Sequence, residues 1–204
     1  MSVKVKICGV TSVADALHAA AAGADAIGLN FHPPSPRCVS VEAAAEIAAA
    51  LPRGVCRVGV FVDQPRDRVA AIAARVGLDG VQFHGHESPD DCRDWQLTTI
   101  KAVRVRDART LRDAARDYAV AWLLADAYVA GVPGGTGTRV PLEWLTDVAR
   151  ARLILAGGLT AETVADAVRV VRPAAVDVAS GVERAPGVKD PEKVERFITN
   201  ARMA

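Results

Sequence analysis

The side chains of this sequence that could do chemistry stand at the ends of short apolar runs. Cys8 closes the alternating run Val3 to Ile7; a thiol where a strand meets its loop can present a thiolate to a ligand, whereas one buried mid-strand is only a small hydrophobe. Asp126 closes Trp122-Leu123-Leu124-Ala125, where a carboxylate is costly unless it is paired or working. His84 ends Val81-Gln82-Phe83 and reads either as a hydrogen-bonded core group or as a substrate contact. Gly157-Gly158 and Ser180-Gly181 follow two further apolar runs. Glycines there let backbone N–H groups approach an anion, although a glycine serves a tight turn equally well. Arg37 follows Pro34-Ser35-Pro36, whose prolines limit the loop, so its guanidinium could meet a carboxylate in a bidentate pair or simply lie solvated. Gly134-Gly135-Thr136-Gly137 reads as an active-site loop or as a plain connector.

These groups need elements to gather them. Short β-rich runs recur about every 22 to 30 residues, each followed by an Ala-rich stretch of helical spacing. The runs are Val3 to Cys8, Ala26 to Phe31, Arg57 to Val62, Gly80 to His84, Thr99 to Val105, Ala121 to Ala125, Arg152 to Ala156 and Ala175 to Ala179. Helices are expected over Val13 to Ala22 after Thr11-Ser12, Val41 to Leu51 after a Ser40 cap, and Ala161 to Val171 after a Thr160 cap. Strand and helix in alternation imply parallel strands joined by right-handed crossovers. Eight such units in 204 residues give an α/β fold, a closed (β/α)8 TIM barrel, expected as a single domain over residues 1–204. An open doubly wound sheet would carry GxGxxG after its first strand, and Cys8-Gly9-Val10-Thr11 lacks it. In a barrel the reactive groups sit at the C-terminal strand ends, which sends Cys8, His84, Asp126 and Asp177 to one mouth. The loops after strands seven and eight are where barrels commonly hold a phosphate.

Composition narrows the partners. A net charge of +1 with 50% apolar residues leaves no electrostatic footprint for nucleic acid or an anionic membrane. No apolar stretch reaches a membrane span, and Met1-Ser2-Val3-Lys4 has no signal-peptide core, so a cytoplasmic protein is expected. Cys8, Cys38, Cys56 and Cys92 form no CxxC pair, which indicates neither a zinc site nor a disulfide framework. Whether the chain is a monomer or a homodimer is not legible.

Seven segments, in this order, resemble the phosphoribosylanthranilate isomerase family of tryptophan biosynthesis: Lys6-Ile7-Cys8-Gly9, Ser35-Pro36-Arg37, Val81-Gln82-Phe83-His84-Gly85, Leu124-Ala125-Asp126, Gly134-Gly135-Thr136-Gly137, Ala156-Gly157-Gly158-Leu159 and Asp177-Val178-Ala179-Ser180-Gly181-Val182-Glu183. The resemblance implies an Amadori rearrangement of N-(5'-phosphoribosyl)anthranilate, in which an acid protonates the furanose oxygen and a base takes the C2' proton. It further implies Asp126 as general acid and Cys8 as general base, with Arg37 facing the anthranilate carboxylate. His84, Gly135 and Asp177 are implied as further substrate contacts, and Gly157, Gly158, Ser180 and Gly181 as the phosphate site. No metal or other cofactor is implied, because the hydrogen moves as a proton and the iminium is the electron sink.

Such a pair needs a thiolate from a group whose reference pKa is about 8.5 and a protonated acid from one of about 3.9. A lowered thiol pKa or a positive neighbour is therefore expected at Cys8; Lys6 shares its side of the strand, nearer the barrel centre. Where relatives carry a Phe-Asp-Trp turn, Thr138-Arg139-Val140-Pro141-Leu142-Glu143-Trp144 stands here, which leaves the form of that loop open. Asn30 and His32 add polarity near the mouth and read as supporting groups. Three rivals are a sister aminoaldose isomerase of histidine biosynthesis, a non-catalytic barrel for phosphorylated metabolites, and a redox role for Cys8. The matching pair in the sister family is two aspartates, the silent barrel would have lost Cys8 or Asp126, and no resolving cysteine lies near Cys8 in sequence.

Overall fold

The computed structural model describes residues 2–127, 142–145 and 152–204. Eight strands form its centre: β1 (Lys4–Cys8), β2 (Ala26–Asn30), β3 (Cys56–Phe61), β4 (Gly80–Phe83), β5 (Thr98–Val105), β6 (Trp122–Ala127), β7 (Leu153–Leu155) and β8 (Ala175–Val178). Each pairs in parallel with the next, and β8 pairs with β1, so the sheet closes into a barrel. All eight expected strands are present, with ends moved by at most two residues. The largest of these shifts matters: β6 runs on to Ala127, so Asp126 lies inside the ladder, in register with Arg104 of β5.

Strand alternation divides the apolar side chains into two layers. Val58, Ile100, Ala102, Leu124, Ile154, Ala156 and Ala175 fill the barrel interior. Their neighbours on the same strands, among them Val5, Ile7, Ile27, Leu29, Phe61, Leu123 and Val176, point outward and pack under the helices. The interior also holds buried Lys6, Gln82 and Asp177, an unusual load of polar groups for so small a core.

The helices are α1 (Val13–Ala21), α2 (Val41–Ala50), α3 (Arg66–Val76), a single turn α4 (Pro89–Cys92), α5 (Ala108–Asp117), α6 (Val164–Val171) and α7 (Pro191–Arg202). Ser12 and Ser40 cap α1 and α2 as expected, accepting from the N–H groups of Asp15 and Ala43. The expected Thr160 cap is corrected. Residues Ala161 to Thr163 form a turn in which the Thr160 N–H donates to Thr163 Oγ1 at 3.0 Å, and α6 starts only at Val164. Leu142–Leu145 is a 3₁₀ turn; the Gly134 to Gly137 segment lies outside the described residues.

One element has no counterpart in the sequence reading. After β8 the chain makes a 3₁₀ turn (Ser180–Val182) and a hairpin of β9 (Glu183–Ala185) and β10 (Val188–Lys189). This hairpin lies against the loops after β1 and β2: Thr11 Oγ1 donates to the Gly187 carbonyl at 2.6 Å, and a Cβ on Gly187 would come within 3.1 Å of the Pro36 carbonyl.

Candidate active site

Val5 and Ile7 face outward, so Lys6 and Cys8 face into the barrel, Cys8 half-buried at its C-terminal mouth. Lys6 is 3% exposed and its register partner Asp177 8%; the ammonium donates to Asp177 Oδ1 at 2.7 Å. Burial opposes the charge on Lys6, but attraction to Asp177 and Cys8 outweighs it and holds the ammonium well above the ordinary lysine value. Gly28 makes this packing possible. A Cβ there would stand 2.7 Å from Cys8 Sγ and 3.0 Å from Lys6 Nζ, closer than side-chain atoms tolerate.

Of the two features expected at Cys8, a lowered thiol pKa or a positive neighbour, the positive neighbour is present. Burial pushes the thiol up, Lys6 pulls it down, Asp177 pushes it up again, and the net shift is upward. Desolvation is thus the larger effect. Asp177, expected as a substrate contact, is buried and turns its carboxylate to Lys6.

Arg37 reaches the same rim from the loop after β2. Asn30 shapes that loop, accepting from the His32 N–H at 2.8 Å and donating to Ser35 Oγ at 3.3 Å, while Ser35 Oγ accepts from the Arg37 N–H. The stem of Arg37 crosses Gly9, where φ is +70° and a Cβ would sit 2.5 Å from Arg37 Cδ. Its guanidinium is in a bidentate pair, but with a carboxylate of the protein: Nε donates to Glu183 Oε1 at 2.8 Å and Nη2 to Oε2 at 2.6 Å. Buried Lys189 donates to the same Oε1 at 2.8 Å. Burial pushes the Glu183 carboxyl up, and the bonds from Arg37 and Lys189 outweigh it, leaving it below the usual value. Glu183 therefore takes the Nε–Nη2 edge of the Arg37 fork.

Asp126 is half-buried across the mouth on β6. The Gln82 amide lies 2.9 Å from His84 Nδ1, and His84 Nε2 lies 3.3 Å from Asp126 Oδ2. With the amide donating, the ring proton belongs on Nε2 and is directed at the carboxylate. His84 also lines a cavity of about 290 Å³ together with Ala102, Arg104, Arg106 and Tyr118. The loop carrying it is anchored from outside the barrel. Buried Glu87 accepts from the Gly85 N–H at 2.9 Å and from Lys101 Nζ at 2.7 Å.

At the opposite side of the mouth, Gly157 and Gly158 take φ of +88° and +68°, a conformation that favours glycine. A Cβ on Gly181 would strike the Leu159 carbonyl, so the loops after β7 and β8 are in direct contact. Gly135, the remaining expected contact, lies outside the described residues. Cys8, Arg37, His84, Asp126 and the two glycine loops thus share the C-terminal ends of the strands.

Sequence reasoning missed Gly28, Glu183 and Lys189 as supports of the site. Gly28 did carry a signal, since a glycine within a strand pattern marks close approach. Glu183 closes one of the quoted segments, but its partner Arg37 is remote in the chain, and Lys189 enters only through its bond to Glu183. Among the described residues no group of three or more His, Cys, Asp or Glu could hold a metal ion.

Comparison with known proteins gives a consistent answer. Residues 5–200 match the family described as N-(5'phosphoribosyl)anthranilate (PRA) isomerase. The N-(5'-phosphoribosyl)anthranilate isomerase of Thiobacillus denitrificans is 51% identical over 206 residues, covering 100% of each chain. The crystal structure of phosphoribosyl anthranilate isomerase from Thermotoga maritima aligns with a TM-score of 0.90 at 40% identity, over 99% of this chain and 100% of that one. Another phosphoribosyl anthranilate isomerase, solved with reduced 1-(o-carboxyphenylamino)-1-deoxyribulose 5-phosphate, aligns at 0.84 with 40% identity over 99% and 100% of the two chains.

Proposed function

The chain belongs to the N-(5'-phosphoribosyl)anthranilate isomerase family, and from that premise we propose how its own side chains divide the reaction. The enzyme is an isomerase of tryptophan biosynthesis that converts a ribosylamine to an aminoketone. Asp126, protonated, gives its proton to the furanose oxygen; the C1'–O bond breaks and the nitrogen lone pair forms the C1'=N iminium. Cys8, as thiolate, takes the C2' proton; the C–H electrons form C1'=C2' while the C1'=N π pair returns to nitrogen, giving a neutral enolamine that tautomerises to the ketone. The observation that carries this reading is convergence: a thiol on β1 and a carboxylate on β6 face one barrel mouth, each beside a partner that bears on its proton, Lys6 and His84.

The other edge of the Arg37 fork suits the anthranilate carboxylate, and Gly157, Gly158, Ser180 and Gly181 suit the 5'-phosphate at the corner where barrels hold one. His84 serves Asp126 more directly than it serves substrate, and Asp177 acts through Lys6. No described helix is long and apolar enough to cross a membrane; we take the enzyme to act in the cytoplasm as a monomer or homodimer, which light scattering on the purified chain distinguishes.

The test is turnover of enzymatically generated phosphoribosylanthranilate, followed by its loss of fluorescence without added metal. Cys8→Ser and Asp126→Asn should each lower kcat by about 10²- to 10⁴-fold, the usual worth of one acid or base. Undiminished turnover in either variant would remove that residue from its role.

A further inference from the structure

Desolvation alone would leave Cys8 a poor base, since a buried thiol resists ionisation. What faces it can be named from every element around it. Lys6 lies beneath it on β1, Asp177 beyond Lys6 on β8, Lys189 on β10, Glu183 on β9 between Lys189 and Arg37, and Arg37 on the loop over Gly9. Lys189 and Arg37 share one carboxylate, Glu183, which answers half of their combined charge, and the pull of Lys189 on the thiol is weaker than that of Lys6. Lys6 is the cation set directly against the sulfur: its Nζ and Cys8 Sγ converge on the space a Cβ of Gly28 would occupy. One of its protons goes to Asp177 Oδ1 at 2.7 Å, which leaves the other two ammonium protons to point elsewhere, and the sulfur is within hydrogen-bonding reach of them.

We propose that Lys6 is a positioning residue for the reaction: held from below by Asp177 and given room by Gly28, its ammonium lies against Cys8 Sγ and stabilises the thiolate that accepts the C2' proton. Lys6 stays protonated throughout and neither gives nor takes the substrate proton. Asp177 sets how much of that charge the sulfur receives, because the carboxylate draws on the same ammonium. The inference rests on Cys8 being the base, yet it concerns the ionisation of the thiol and can be tested apart from turnover.

The experiment is the pH profile of Cys8 alkylation by iodoacetamide in the full chain. It is read by mass spectrometry on the Cys8 peptide, because Cys56 is exposed and Cys38 half-buried. In Lys6→Met the midpoint should move to higher pH and the rate near neutrality should fall several-fold. In Asp177→Asn, which keeps Lys6 and removes its counter-charge, the midpoint should move the opposite way. Opposite signs from two members of one ion pair are not what loosening of a structural contact produces. Since Lys6→Met leaves a buried carboxylate alone, the double variant Lys6→Met/Asp177→Asn is made beside it; it should keep the parent's thermal unfolding and still show the upward midpoint. Gly28→Ala, which drives sulfur and ammonium apart, should shift the midpoint upward as well. An alkylation profile in folded Lys6→Met or in the double variant equal to the parent's would overturn the proposal. If Cys8→Ser kept full turnover, the role of Cys8 as base would fail while the alkylation result stood.

Discussion

At Cys8, burial and charge act against each other, and the outcome governs how the enzyme should respond to pH. The thiol lies above its ordinary value because desolvation exceeds the pull of Lys6. The productive form needs Cys8 ionised and Asp126 protonated, which carries the same number of protons as thiol plus carboxylate. Two forms with equal proton counts keep a constant ratio as pH changes, so pH acts only where Cys8 itself loses its proton to solvent. We expect kcat/KM to be flat through neutral pH and to fall on the alkaline side as Cys8 loses its proton. Because that thiol is raised, the fall should begin above the range of an ordinary cysteine. A stopped assay across the alkaline range checks this; a decline well below the normal thiol range would contradict it.

The hairpin of β9 and β10 is the element that turns separate strand ends into a site. It brings Glu183 to Arg37 and buries Lys189 behind it at 2% exposure. Removing the carboxylate leaves that ammonium buried and unpaired, which typically costs about 3–5 kcal/mol. Glu183→Ala should lower stability by that order in urea unfolding and raise KM by releasing Arg37, with a smaller effect on kcat. The acid dependence has a definite sign. The folded value of Glu183 is depressed by its bonds to Arg37 and Lys189, net of burial, so its contribution is present above the unfolded carboxylate value and is lost as pH falls through the folded one. Stability of the parent should decline in that acid window, and the Glu183→Ala variant should decline less. Nothing in the local sequence announced this hairpin. Its strands have three and two residues, too short for a periodic signal, and its reason for existing is an arginine near the other end of the chain.

For the whole molecule, closure is the controlling event: β1 pairs with β8, and α7 covers the seam, with Val194, Phe197 and Ile198 buried against its neighbours. A sheet closed through its first and last strands cannot lose one without opening. We expect residues 1–204 to unfold as one unit, with far-ultraviolet dichroism and tryptophan fluorescence giving coincident transitions. A chain ending at Asp190 should show no cooperative transition, because each of those three side chains is worth about 1.5–3 kcal/mol against a total of about 5–15 kcal/mol. Separate transitions in the parent, or a cooperative melt in the shortened chain, would argue against a single domain. Eight strands, their order and the residues at their ends were all legible in the sequence, because period and capping are local and Cys8, Asp126 and the glycine loops each close a local pattern. Even there the reading erred where local rules competed, as at Thr160, whose N–H takes Thr163 as partner and delays α6. What only the tertiary structure decided was who answers whom: Asp177 to Lys6, Glu183 to Arg37 and Lys189, His84 to Asp126. All but Glu183–Lys189, six residues apart, join residues remote in the chain, and every one of them depends on burial and distance, which exist only once the barrel has closed.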